Sequence, residues 1–230
     1  MKRAGRRYRT VCFDLDGTLV DTAAEIAEAT NRSLEDHGLA RRSVAQISAH
    51  IGLGTRELLR SVLAQIATEQ PGRLASIGFD RVMMSLERHY GETAGTLAAA
   101  YAGTGEALEQ LRRARISLAC VTNKELRYAR RVLSVTRLAD FFGLVIGGDS
   151  LPQKKPHASV LRHVVEKLQG QIRETGHVGD SRIDVMAARN AGVAAWAVPY
   201  GYNGGVPIVS ANPDRIFPTV LDLAAYVTRQ

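Results

Sequence analysis

A chain of 230 residues with 45% hydrophobic and 23% charged residues is ordinary globular material; it can bury a proper core, and no apolar run approaches the roughly 20 residues of a membrane helix. The formal net charge of +7 suits anionic partners, yet Lys2, Arg3, Arg6, Arg7 and Arg9 crowd into an N-terminal arm with no aromatic residue beyond Tyr8, so a solvated arm is expected there and nucleic acid is not expected as a partner. No membrane partner is expected either, and without an apolar segment before the first strand to act as a secretory signal the expected compartment is cytoplasmic.

The first expected strand runs through Val11, Cys12 and Phe13 and breaks into Asp14, Leu15, Asp16, Gly17 and Thr18. A run of this kind suits a strand covered on both faces, with function at its carboxyl end. Side chains alternate along a strand, so Asp14 and Asp16 can face one pocket while Gly17 lets the backbone turn. Two acids this close repel unless a cation or a shared proton relieves them. Read alone, the same residues would also serve as a solvated turn closing a strand.

Asp21 and Thr22 then signal a helix start, with Glu25 placed as in a capping box. Helices are expected at about 22–37, 55–68 and 75–90, the second carrying Leu58, Leu59, Val62, Leu63 and Ile66 on one face. No period-two alternation occurs between about 21 and 100, so this stretch reads as an all-helical insertion. Within it, Arg56 follows the flexible Gly52-Leu53-Gly54 loop and is a candidate contact for a substrate carboxylate, or simply a surface cation starting a helix.

From Gly103 onward the texture is helix and strand in alternation. Expected strands are Ser117 to Val121, ending in Thr122, Asn123 and Lys124; Gly143 to Ile146, ending in Gly147, Gly148 and Asp149; Thr175 to Val178, ending in Gly179, Asp180 and Ser181; and Ala194 to Val198. Expected helices are Glu106 to Arg115, about 125–135, His157 to Leu168, one closing at Gly192, and a last one near Thr219 to Thr228. This rhythm implies right-handed crossovers and an α/β fold, a doubly wound, mostly parallel sheet with a Rossmann-like core. Residues 1–20 and 101–230 form the expected core and 21–100 a helical cap. Cys12 and Cys120 sit inside apolar runs as small hydrophobes, and no disulfide is expected.

The strand tips together offer Asp14 and Asp16, Thr122 and Asn123, Lys155 before Pro156, and Asp180 with Asp184. In this order the motifs resemble those of the haloacid dehalogenase superfamily of phosphohydrolases, and the helical insertion after the first motif resembles one style of cap in that superfamily. The run Gly148 to Pro152 ahead of Lys155, with Tyr200, Gly201, Tyr202 and Asn203, is similar to its phosphoglycolate phosphatase branch. The resemblance implies a Mg2+-dependent phosphatase that forms an aspartyl phosphate on Asp14, with Asp16 as general acid and base. It further implies Asp14, the main-chain carbonyl of Asp16, and Asp180 as metal ligands, Asp184 in support, and Thr122, Asn123 and Lys155 on the phosphoryl oxygens. Lys155 is preferred to Lys154 because the family's lysine precedes the proline. The implied substrate is a small phosphorylated metabolite, an acid such as 2-phosphoglycolate. A sugar phosphomutase, another small-metabolite phosphatase, or a nucleic-acid-binding module using the basic arm are the alternatives, and the oligomeric state stays open. Asp149 is expected either to orient Lys155 or to cap a turn, and His50, His157, His177 and Trp196 to be structural.

Overall fold

The first strand, β1 (Thr10–Phe13), is buried at all four positions, as its unbroken apolar run demands. The computed structural model describes residues 8–70, 72 and 77–229; four of the basic residues of the arm, Lys2, Arg3, Arg6 and Arg7, and the expected helical start at 75 lie outside them. After β1 come β2 (Val20–Asp21), α1 (Ala23–Glu35), α2 (Val44–Ser48), α3 (Thr55–Glu69), α4 (Phe79–Thr93) and β3 (Ala99–Ala100). The chain continues as α5 (Thr104–Arg113), β4 (Ser117–Val121), α6 (Leu126–Val135), β5 (Leu144–Ile146), α7 (Ala158–Lys167), β6 (Thr175–Gly179), α8 (Arg182–Ala191), β7 (Ala194–Ala197), β8 (Arg215–Ile216) and α9 (Val220–Thr228).

Six strands form one sheet in the order β5-β4-β1-β6-β7-β8, and every pairing in it is parallel. The chain leaves β1, builds outward through β4 and β5, then returns to the other side of β1 for β6. Such a reversal opens a crevice beyond the carboxyl ends of the central strands. Helices α5, α6 and α9 cover one face through Leu108, Leu111, Val132, Leu133, Leu223 and Val227. Helices α7 and α8 cover the other through Leu161, Val164, Val185 and Ala188. Cys12 lies in the second of these cores and Cys120 in the first, so the two thiols point to opposite faces of the sheet. Trp196 is buried on β7, edge-on to Tyr8 at 4.7 Å between ring centres, and Gly176 on the neighbouring strand is needed beneath it, because a Cβ there would lie 2.3 Å from the indole.

The insertion has a core of its own, built from Ile26, Leu34, Ile47, Leu59, Val62, Ile66, Leu86 and Tyr90. Fully burying side chains of this size contributes about 1.5–3 kcal/mol each. Its base is not helical: β2 and β3 pair antiparallel, Val20 against Ala100 and Asp21 against Ala99. Two-residue strands carry no alternation to read, which is why the sequence presents them as helix flanks. The short α2 was likewise missed, although Ser43 and Gln46 form a complete capping box at its start.

Candidate active site

Strand register brings the tip residues to one level. Phe13 is paired with Cys120 on one side and Val178 on the other. Asp14, Thr122 and Asp180 therefore each follow their own strands, β1, β4 and β6, by one position. Past Asp14 the backbone folds tightly, with Gly17 N–H donating to the Val20 carbonyl at 2.9 Å. Gly17 has φ +80°, and a Cβ on it would fall 2.4 Å from Asp180 Oδ2, so this position admits glycine for both backbone and packing reasons.

At the centre, Lys155 Nζ lies 2.8 Å from Asp14 Oδ1 and 2.7 Å from Asp184 Oδ1, with its side chain 1% exposed. Lys154 points elsewhere, its ammonium donating to the Leu53 carbonyl at 2.6 Å. Asp184 has two further partners. The Ser181 N–H donates to its Oδ2 at 3.2 Å, completing a capping box at the start of α8, and His177 Nε2 stands 3.1 Å from its Oδ1. Burial opposes ionisation of Asp184, but the Lys155 ammonium and His177 outweigh it and hold the carboxyl far below the usual range. Asp180 accepts from the Thr18 hydroxyl at 3.0 Å and from the Tyr202 N–H at 2.5 Å.

Asp14, Asp180 and Asp184 are all buried and each can place one carboxylate oxygen within 4.8 Å of the others. Burial pushes Asp14 up to about 7, with Asp184 and Asp16 adding to the rise and Lys155 opposing it; Asp180 is raised for the same leading reason. Asp14 Oδ1 also lacks a hydrogen-bond donor in good alignment, although the Lys155 ammonium is close. A buried, all-oxygen set with an unsatisfied donor atom fits a hard divalent cation, which takes carboxylates in preference to imidazole or thiolate.

Asp16 faces a different group. Its Oδ1 accepts from the Thr22 hydroxyl at 2.6 Å and lies 2.7 Å from Lys124 Nζ. Lys124 also donates to the hydroxyl of Tyr90 on α4. Burial disfavours its charge, but Asp16 more than compensates and keeps it protonated. Asp14, Asp16, Thr122, Asn123 and Lys124 line one cavity beneath a ceiling of Ile26, Ile51, Leu58 and Leu86 from the insertion, with a free volume of about 30 Å³.

One expected contact sits elsewhere, and a second is already engaged. Arg56 does not line this cavity; it is half exposed, pairs with Asp80 at 3.2 Å and stacks 4.8 Å from the centre of the Phe79 ring. Its place one residue into α3 turns it outward, and α4 supplies the aromatic face that holds it. Asn123 is beside the cavity, but its amide is committed: Oδ1 accepts from Lys155 N–H at 2.9 Å while Nδ2 donates to the Gly52 and Lys155 carbonyls at 2.9 and 3.0 Å. The Asn123 side chain thus positions Lys155 and ties the insertion to the core. Asp149 does not touch Lys155; its Oδ1 accepts from the first N–H of α6, at 2.7 Å from Leu126.

Lys124, His177 and Tyr202 are the residues that sequence reasoning left without a role. Tyr202 joins both parts of the site: its N–H holds Asp180, while its hydroxyl accepts from the Thr22 and Ala23 N–H groups at 2.7 and 2.9 Å and donates to Asp21 Oδ1. A lysine directly after a strand tip and a histidine three residues before Asp180 were the available signals. Neither has a spacing that distinguishes it from a surface or core residue.

The sequence pattern of the haloacid dehalogenase-like hydrolases matches residues 11–198. A phosphoglycolate phosphatase of Nitrosospira multiformis is 37% identical, covering 96% of each chain. Another, plasmid-borne in Cupriavidus necator, is 38% identical over 95% of this chain and 92% of its own. Among solved structures, a predicted phosphoglycolate phosphatase from Haemophilus somnus superposes with a TM-score of 0.91 at 30% identity, covering 95% of this chain and 97% of the other.

Proposed function

We propose that this chain, which belongs to the haloacid dehalogenase-like hydrolase family, is a Mg2+-dependent phosphatase that cleaves small phosphorylated acids, 2-phosphoglycolate first among them. The observation that carries this reading is the convergence of Asp14, Asp180 and Asp184, with the Lys155 ammonium on Asp14 and Asp184, beyond the carboxyl ends of β1 and β6. The names of the full-length relatives support the substrate.

Phosphoryl transfer needs an in-line nucleophile, relief of charge on the equatorial oxygens and a proton for the leaving group. Asp14 is the nucleophile and becomes the aspartyl phosphate. Lys155, beside Asp14, takes up charge on the phosphoryl oxygens, and Thr122 contributes its hydroxyl from the same cavity wall. Asp16, two residues on, protonates the leaving oxygen and then deprotonates the water that attacks the intermediate. Asp14, the main-chain carbonyl of Asp16, and Asp180 are the residues that would hold Mg2+, with Asp184 in support beside them. The cation supplies charge neutralisation at the transferred group. The insertion roofs the cavity with apolar side chains, which excludes bulk water from the intermediate and leaves no room for a macromolecular ester.

Phosphate release from a panel of phosphomonoesters tests this. Hydrolysis is expected to be fastest with 2-phosphoglycolate and to be abolished by chelation and restored by Mg2+. Release that is indifferent to chelator, or confined to large substrates, would overturn the proposal.

A further inference from the structure

The cavity holds a second cation that the hydrolytic chemistry does not use. Lys155 pairs with Asp14 and Asp184, and Lys124, with its side chain 2% exposed, lines the cavity and reaches from the strand tip toward the insertion. An ammonium has three N–H donors. Among the described residues Lys124 gives one to Asp16 and one to the Tyr90 hydroxyl, and its Nζ stands 5.1 Å from the centre of the Tyr90 ring. A buried charge is costly unless it is fully paired, and here one donor remains for a ligand.

We infer that Lys124, assisted by the Tyr90 hydroxyl, is the specificity site that takes the carboxylate of the substrate, the role that Arg56 is placed too far out to fill. This rests on the phosphatase reading and names the substrate class that the same cavity selects. A phosphorylated two-carbon acid carries two anionic ends only a few atoms apart; Lys124 lines the cavity, and the Lys155 ammonium stands behind Asp14, which lines it too. Much of the wall that the insertion supplies is apolar, through Ile26, Ile51, Leu58 and Leu86, with the hydroxyls of Thr30 and Thr55 between them. Lys124 belongs to the core and Tyr90 to the insertion, so a carboxylate held between them also holds the two parts together.

The test is a ratio. The kcat/KM values for 2-phosphoglycolate and for ethyl phosphate, which has a methyl group where the acid has its carboxylate, are measured with saturating Mg2+ in the wild type, in Lys124→Met and in Tyr90→Phe. The wild type is expected to favour the acid strongly. Lys124→Met is expected to shrink that preference by about 30-fold or more, chiefly through KM, and Tyr90→Phe by about fivefold. Any loss caused by disturbing Asp16 falls on both substrates and cancels in the ratio. An unchanged ratio in Lys124→Met would therefore overturn the inference and leave Lys124 as a partner of Asp16 alone. Should Lys124→Met fail to fold, the milder Tyr90→Phe decides on the same criterion. A wild type with no preference for the acid refutes carboxylate recognition while the phosphatase reading stands; no phosphate from either ester, nor from the wider panel, refutes both.

Discussion

The proposed chemistry turns on how Asp14 is held. It is buried, two other carboxylates stand nearby, and one ammonium counters them. With its folded pKa at about 7 against an ordinary value of 3.8, the metal-free folded chain keeps a proton that the unfolded chain has already released between those two values. Stability from this group is therefore lost as the pH rises from about 4 to about 7. Asp180 works in the same direction, whereas His177, whose pKa burial lowers, works against it. Comparison with Asp14→Asn removes this carboxyl together with its share of the rise at Asp180. Without metal, the stability of the variant relative to wild type is expected to grow between pH 5 and pH 8 by on the order of 3 kcal/mol in urea unfolding, and Mg2+ is expected to cancel much of the difference. A pH-independent difference would show that Asp14 is not confined as described. Asp14, Asp16, Thr122 and Asp180 were legible as candidates because they follow apolar runs, and Lys155 and Asp184 because the order of the motifs resembles that of a known family. Their partners were not: Tyr202 reaches Asp21 and Thr22 from about 180 positions away, and no local pattern reports a contact of that kind.

Among the elements, the turn after β1 is the most constrained. Gly17 has a left-handed backbone and packs against the carboxylate of Asp180. An alanine there would cost roughly 1–2 kcal/mol for its backbone, and its methyl group would displace Asp180 from Asp14. Gly17→Ala is expected to lower stability by about 2 kcal/mol and to weaken Mg2+ binding at least tenfold, read by urea unfolding and calorimetric titration. Wild-type values for both would contradict this packing. The longer elements were plain in the sequence because four or five apolar residues, or two helical turns, suffice to show a period. The ribbon of β2 and β3 and the strand β8 are each two residues per strand, too short to show one; they form because main-chain partners lie alongside, which only the folded chain reveals.

For the molecule as a whole, the site exists only where two separately packed bodies meet. Asn123 donates to the Gly52 carbonyl, Lys154 to the Leu53 carbonyl, and the Thr55 hydroxyl to Glu125 Oε2 at 2.7 Å. These bonds seat the loop before α3 over the tips of β4 and its neighbours. The alternation of strand and helix announced the layered core, but the way residues 21–100 meet that core depends on single side chains. The central claim is that Asp14 itself receives the phosphoryl group at this junction. The most direct measurement is an acid-quenched single turnover with 2-phosphoglycolate and Mg2+, followed by mass spectrometry of the peptide that carries Asp14. A phosphoryl group on Asp14 in the wild type, with neither label nor turnover in Asp14→Asn, is the expected result; phosphate release at the wild-type rate from Asp14→Asn would contradict it.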